Sequence, residues 1–91
     1  MYKVKFTSAF KKSYKLAIKR GLDISLLDDV IKILQSWKKL PEKYKDHYLI
    51  GSFKGFKECH IKPDWLLVYY IEENILTLTL VNTGSHSDLL N

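Results

Sequence analysis

The run Trp65-Leu66-Leu67-Val68-Tyr69-Tyr70-Ile71 is apolar at odd and even positions alike, so both faces of an extended segment built from it need cover. Such a segment belongs in the middle of a sheet. Immediately before it stands Glu58-Cys59-His60-Ile61-Lys62-Pro63-Asp64. Proline pushes Lys62 out of helical geometry, and Pro63-Asp64 suits the centre of a tight turn, so the two segments are predicted to form a β-hairpin. Period-two alternation then puts Glu58, His60 and Lys62 on one face of the incoming strand and Cys59 and Ile61 on the other. His60 is expected to point away from the core.

The flanking segments supply partners for that hairpin. At the N-terminus Tyr2, Val4 and Phe6 alternate with Lys3 and Lys5, the pattern of a half-buried strand. Thr7 or Ser8 can cap a following helix whose stripe is Phe10, Tyr14, Ala17 and Ile18, with Gly21 placed to end it. Its other side carries Lys11, Lys15 and Lys19, with Lys12 and Arg20 beside them, which reads either as a solvated face or as a phosphate-tracking stripe. Ser25 and Asp28 match a capping box, and Leu27, Val30, Ile31, Leu34 and Trp37 draw a second amphipathic helix, stopped by Pro41. The short connection predicts an antiparallel helix pair. Residues 38–46 read as a surface loop, 47–50 and 56–62 as strands, and 51–55 as a hairpin loop. Beyond 65–72, Glu73-Asn74 is predicted to turn the chain into a last strand over 75–82, with Leu76, Leu78 and Leu80 facing the helices. A single helical turn capped by Ser85 closes the chain. The reading is a single α+β domain over 1–91, in the order β-α-α-β-β-β-β, with a mostly antiparallel sheet and a helix hairpin on one face.

Charge and cysteine count narrow the class. Fifteen Lys and Arg against 10 Asp and Glu give a formal charge of +5, which favours polyanionic partners such as RNA, DNA or an acidic protein. Cys59 stands alone, so no intramolecular disulfide and no cysteine-rich metal site can form. The alternating N-terminus lacks the continuous apolar stretch of a signal peptide, and no run approaches the roughly 20 apolar residues of a membrane span. A soluble cytoplasmic protein without membrane attachment is expected.

Three histidines, His47, His60 and His86, lie at or near predicted strand ends, and Asp64 sits at the hairpin bend. If those ends gather at one edge of the sheet, imidazoles and a carboxylate converge. One imidazole can then accept a proton and another donate one near neutral pH while nearby lysines hold a phosphate, which is the equipment of RNA cleavage without a metal. Trp65 can stack a base or pack in the core. A metal held by His60, Asp64 and His86 finds no supporting motif, and no cofactor is expected. A thiol nucleophile at Cys59 is denied by its core-facing position.

The order of elements, together with Asp46-His47, the run 58–69 and Thr83-Gly84-Ser85-His86-Ser87-Asp88-Leu89, resembles the YafQ branch of the RelE/ParE toxin superfamily over essentially the whole chain. The resemblance implies a RelE-like fold and the toxin of a type II toxin–antitoxin module: an endoribonuclease that cuts mRNA, often on the ribosome, and is neutralised by a cognate antitoxin. Position by position it implies a catalytic set of His47, His60, Asp64 and His86. His86 would be the general acid, His60 or Asp64 the base or its orienting group, and His47 an assistant. RNA contacts are expected at Lys54, Lys62, Trp65, Asn82 and Leu90. Two of these depart from the pattern, since Asn82 replaces an arginine common before Thr-Gly and Leu90 a frequent phenylalanine. Asn82 can hydrogen-bond a phosphate oxygen but brings no charge, which shifts transition-state stabilisation toward Lys62 or Lys54. A basic toxin implies an acidic antitoxin. The alternatives are a non-catalytic inhibitor of a protein such as gyrase and a basic RNA-binding module.

Overall fold

A computed structural model describes residues 1–51 and 55–90. Strand β1 (Lys3–Phe6) leads into helix α1 (Ser8–Lys19) and helix α2 (Ile24–Gln35). A 3-10 turn, Glu42–Tyr44, precedes the two-residue strand β2 (His47–Tyr48), followed by β3 (Lys57–Lys62) and β4 (Trp65–Glu72). A second 3-10 turn, Glu73–Ile75, joins β4 to β5 (Thr77–Gly84), and helix α3 (His86–Leu90) follows. The five strands form one sheet in the order β1-β5-β4-β3-β2, antiparallel except for the parallel pair β1 and β5. The doubly apolar strand β4 is the central one, as its sequence requires.

The helices cover one face of the sheet. Phe10 and Ala17 of α1 and Leu27, Val30 and Leu34 of α2 are buried with Cys59, Ile61, Leu67, Tyr69, Leu78 and Leu80 from the strands. Each fully buried leucine contributes about 1.5–3 kcal/mol by leaving water. Thr7 caps α1, accepting from the Phe10 N–H at 2.9 Å while its hydroxyl donates to the Val81 carbonyl at 2.6 Å, so the cap also ties α1 to β5. Tyr14 donates to Asp28 at 2.9 Å and links the two helices.

Several expectations are corrected. Asp23, not Ser25 with Asp28, caps α2, because its carboxylate takes both the Ser25 N–H and hydroxyl while Asp28 is engaged by Tyr14. The helix ends at Gln35, where the Ser36 hydroxyl bonds back to the Lys32 carbonyl at 2.6 Å, well before Pro41. Trp37 therefore leaves the predicted stripe; it takes a left-handed backbone and is 58% exposed. Ile18 and Phe6 are likewise exposed. The turn after β4 is longer than two residues and ends at Leu76, which has φ of 47° and faces solvent, so β5 starts later than predicted; at its other end, pairing with Leu66 and Leu67 carries it two residues past the predicted end and brings Gly84 and Thr83 into the sheet. β2 is shorter than predicted. The loop expectation for 51–55 falls largely outside the described residues.

Candidate active site

The β3–β4 bend, the end of β5 and strand β2 meet at one edge of the sheet. The pairing of β3 with β4 shifts register between His60 and Lys62, so Lys62 pairs with Trp65 across the two-residue turn Pro63 and Asp64. Gly84 pairs with Leu66 at the end of β5, which places the start of α3 directly beside that turn. On the other side His47 pairs with Glu58. Three imidazoles consequently stand in a row: ring centroids are 6.2 Å apart for His47 and His60, and 5.8 Å for His60 and His86.

Each ring is oriented by its Nδ1. In His47 that atom lies 2.7 Å from the Lys45 carbonyl, in His60 3.3 Å from the Pro63 carbonyl, and in His86 2.6 Å from Asp64 Oδ1. A carbonyl or carboxylate only accepts, so Nδ1 carries the hydrogen in all three and Nε2 is the ring nitrogen left for other partners. The Nε2 of His47 lies 3.5 Å from Glu58 Oε1, whereas that of His60 has no partner among the described residues. Asp64 also accepts the His86 backbone N–H at 3.0 Å. That backbone bond first, and the ring bond second, hold the exposed Asp64 carboxyl below the usual carboxylate range. It is an ionised orienting group for His86.

The short helix α3 is pinned from its other side. Ser85 Oγ accepts from the Asp88 N–H at 3.1 Å and Asp88 Oδ2 accepts from the Ser85 N–H at 3.0 Å, a reciprocal capping box. Arg20, at the end of α1, donates to the same Asp88 oxygen at 3.0 Å. The Ser85-x-x-Asp88 spacing was a visible sign of this box; Arg20, far away in the chain, gave none. Beneath His47, the Tyr69 hydroxyl and the Lys57 ammonium both bind Asp46, the latter at 2.7 Å.

The expected RNA contacts are scattered. Lys62 is exposed beside His60 and lines a groove with it. Asn82 is half-buried; its Oδ1 accepts from Ser13 at 2.6 Å and from the Thr83 N–H at 2.9 Å, which turns its amide NH₂ toward the remaining space. Trp65 is not a stacking platform. It is 4% exposed, and its indole N–H donates to Thr83 Oγ1 at 3.0 Å, because the strand it opens is covered on both faces. Lys54 and the Leu90 side chain lie outside the described part of the structure. Cys59 is buried, and burial pushes its thiol up to about 12, which removes it as a nucleophile.

The family model described as "Bacterial toxin of type II toxin-antitoxin system, YafQ" matches residues 2–91. The chain belongs to this family. The mRNA interferase toxin YafQ of Escherichia coli K12 is 36% identical over 87 residues, spanning 94% of this chain and 92% of that one. A metal-bound toxin from Helicobacter pylori superposes with a TM-score of 0.92 at 46% identity, covering 98% of this chain and 99% of that one. The YafQ of the E. coli DinJ-YafQ complex superposes with a TM-score of 0.90 at 34% identity over the full length of both chains. The resemblance and the α+β fold expected from the sequence are thereby borne out. The metal of the H. pylori toxin raises the question of donors. Among the described residues no three His, Cys, Asp or Glu side chains of this YafQ-family chain are gathered to hold an ion, and the Nδ1 atoms of the row are turned to protein acceptors. With each Nδ1–H bonded to a carbonyl or carboxylate, Nε2 is the ring nitrogen that any ion would have to use. Among the described residues no helix is long and apolar enough to cross a membrane.

Proposed function

We propose that this YafQ-family toxin, an endoribonuclease of the mRNA interferase class, cuts RNA by metal-independent acid–base chemistry on its imidazole row. The observation that carries this reading is the fixing of His86 by Asp64 next to a His60 whose Nε2 is unengaged among the described residues. In-line attack on a phosphodiester needs a base and an acid on opposite sides of the phosphorus, and two rings with centroids 5.8 Å apart can flank one phosphate. His60 Nε2 takes the proton of the 2′-OH, the 2′ oxygen bonds to phosphorus, and the bond to the 5′ oxygen breaks. The Nε2 proton of His86 goes to that 5′ oxygen, leaving a 2′,3′-cyclic phosphate and a 5′-OH. Asp64 holds the His86 ring through two bonds to its Oδ1 and supports its charge, and its lowered pKa makes it a poor proton acceptor. His47 assists from the far side of His60, braced by Glu58.

On this reading the substrate is mRNA met on the ribosome in the cytoplasm; the formal charge of +5 supports a polyanionic substrate. It also supports a cognate acidic antitoxin that neutralises the toxin by covering this edge. The complex of the E. coli relative with DinJ favours such a partner. The test is cleavage of RNA in EDTA, alone and with ribosomes, with the new ends analysed for cyclic phosphate. Wild-type protein that arrests growth while every transcript stays intact sinks the reading, as does a His86→Ala variant that cuts at the wild-type rate.

A further inference from the structure

Cations near the imidazole row differ in what they are bound to. Lys57 lies 2.7 Å from Asp46 and Arg20 3.0 Å from Asp88, so both are engaged. Lys43, Lys45 and Lys62 pair with no carboxylate among the described residues, although the Lys43 ammonium stands over the Tyr44 ring, 5.1 Å from its centroid. All three line a single groove of about 390 Å³ whose wall includes His60, with Ile61 and Pro63 as part of its apolar lining.

Backbone geometry points the same way. The turn Glu42–Tyr44 ends on Lys45 with φ of 50°, in the left-handed region that non-glycine residues seldom occupy. Its N–H donates to the Glu42 carbonyl at 2.9 Å, its own carbonyl accepts from His47, and the next residue, Asp46, is clamped by Lys57 and Tyr69. A strained residue held from so many sides is the kind that serves a site. Here one turn both orients His47 and sets lysines beside His60.

We propose that Lys43, Lys45 and Lys62 form a phosphate-binding subsite for the RNA backbone adjacent to the phosphodiester that His60 and His86 cleave. This rests on the cleavage reading above and extends it to two lysines that had no assigned role. Ammonium groups act as point charges and hold phosphates without reading bases, so the subsite would position the strand without selecting its sequence. It also relocates the positive charge missing at Asn82, from β5 to the opposite side of His60. An acidic protein segment would be drawn to the same lysines. The shared wall with His60, a group that acts on the substrate, is what favours RNA.

The test is binding of a single-stranded 2′-O-methyl RNA, followed by fluorescence anisotropy over a series of salt concentrations. Its blocked 2′ oxygen keeps it intact. If each lysine holds one phosphate, the slope of log K against log salt becomes shallower by about 0.7 per lysine, hence by about 2 in the Lys43→Gln/Lys45→Gln/Lys62→Gln variant. The matching triple arginine variant keeps the wild-type slope, and Lys62→Gln alone, on the exposed bend, shows about a third of the change. An unchanged slope in a glutamine variant with the wild-type circular dichroism spectrum overturns the subsite. So does a glutamine variant that binds this RNA normally but no longer binds its antitoxin, which would assign the lysines to that partner. Because the probe cannot be cut, the outcome is read separately from whether wild-type protein cleaves RNA.

Discussion

Asp64 Oδ1 accepts two hydrogen bonds from His86, from the backbone N–H at 3.0 Å and from Nδ1 at 2.6 Å, across 22 residues of sequence. One oxygen thus fixes both where α3 begins and which imidazole nitrogen is left free. Asp64→Asn keeps an acceptor of the same shape and removes the charge that supports a protonated His86. Cleavage should fall by about 10²-fold, the lower range of a general acid's contribution, while RNA affinity stays the same or rises. The pH dependence of stability checks the electrostatics. The folded-state pKa of Asp64 is lowered, so its contribution is complete above the unfolded value near 3.9 and is lost as pH falls through the folded value. Urea midpoints between about pH 2 and 6 should drop less steeply in Asp64→Asn than in the wild type.

The division of labour between His60 and His86 is open to kinetics. A base and an acid acting together give a bell-shaped pH profile for kcat/KM. His60→Ala should remove the limb on which the base becomes protonated, His86→Ala the limb on which the acid loses its proton, and each should slow cleavage by about 10²–10⁴-fold. The same profile in both variants would show that the two rings do not divide the work in this way.

Gly84 reaches the site through packing. A Cβ built there meets Asp88 Cβ at 2.9 Å and Asp88 Oδ2 at 3.0 Å, and Asp88 is the residue that caps α3 and receives Arg20. Gly84→Ala should displace α3, cost about 1–3 kcal/mol by overpacking, and slow cleavage because His86 moves with the helix. Urea denaturation and cleavage assays on one preparation would measure both. An Arg20→Gln variant, which only frees one side of Asp88, should show the smaller kinetic effect.

Cys59 offers a direct check on burial. With its side chain fully enclosed and its thiol pushed up to about 12 by that enclosure, it should resist a disulfide reagent at pH 8 for as long as the protein is folded. In urea the single thiol should react at once. Rapid reaction in the native state would place β3 in the opposite facing and bring the outward direction of His60 into question.

Local patterns carried the parts of the fold that obey local rules. Period two along β3 turns Cys59 and Ile61 inward and His60 outward, and the double-faced apolar run is the central strand. What the apolar pattern misses is decided by side-chain hydrogen bonds, some local and some between residues distant in the chain. Trp37 satisfies the helical stripe, yet the Ser36 hydroxyl closes the helix one residue earlier and leaves the indole outside. Trp65 is committed to the core by Thr83, 18 residues on. The four residues of the candidate site were nameable by resemblance, but the pairing of Asp64 with His86 rather than His60 depends on where β5 ends. The predicted strand end at Asn82 stops two residues short of it.

The deepest support of the site lies under His47. Strand β2 is two residues long, and what anchors it is the preceding Asp46, bound by Lys57 and by the fully buried Tyr69. Tyr69→Phe deletes one hydroxyl and leaves the carboxylate with one donor fewer, which should cost about 1–3 kcal/mol in urea denaturation. Burial first, and the bond to Asp46 second, raise the Tyr69 phenol well above its usual range. A raised folded pKa means that this stabilisation is intact below the unfolded value of about 10 and is lost as pH climbs beyond it, a decline that Tyr69→Phe should lack. Loosening Asp46 also frees the turn that orients His47, so cleavage should slow by about tenfold while the affinity for uncut RNA stays unchanged. A stability loss with an unaltered cleavage rate would show that Asp46 secures the sheet edge without positioning His47.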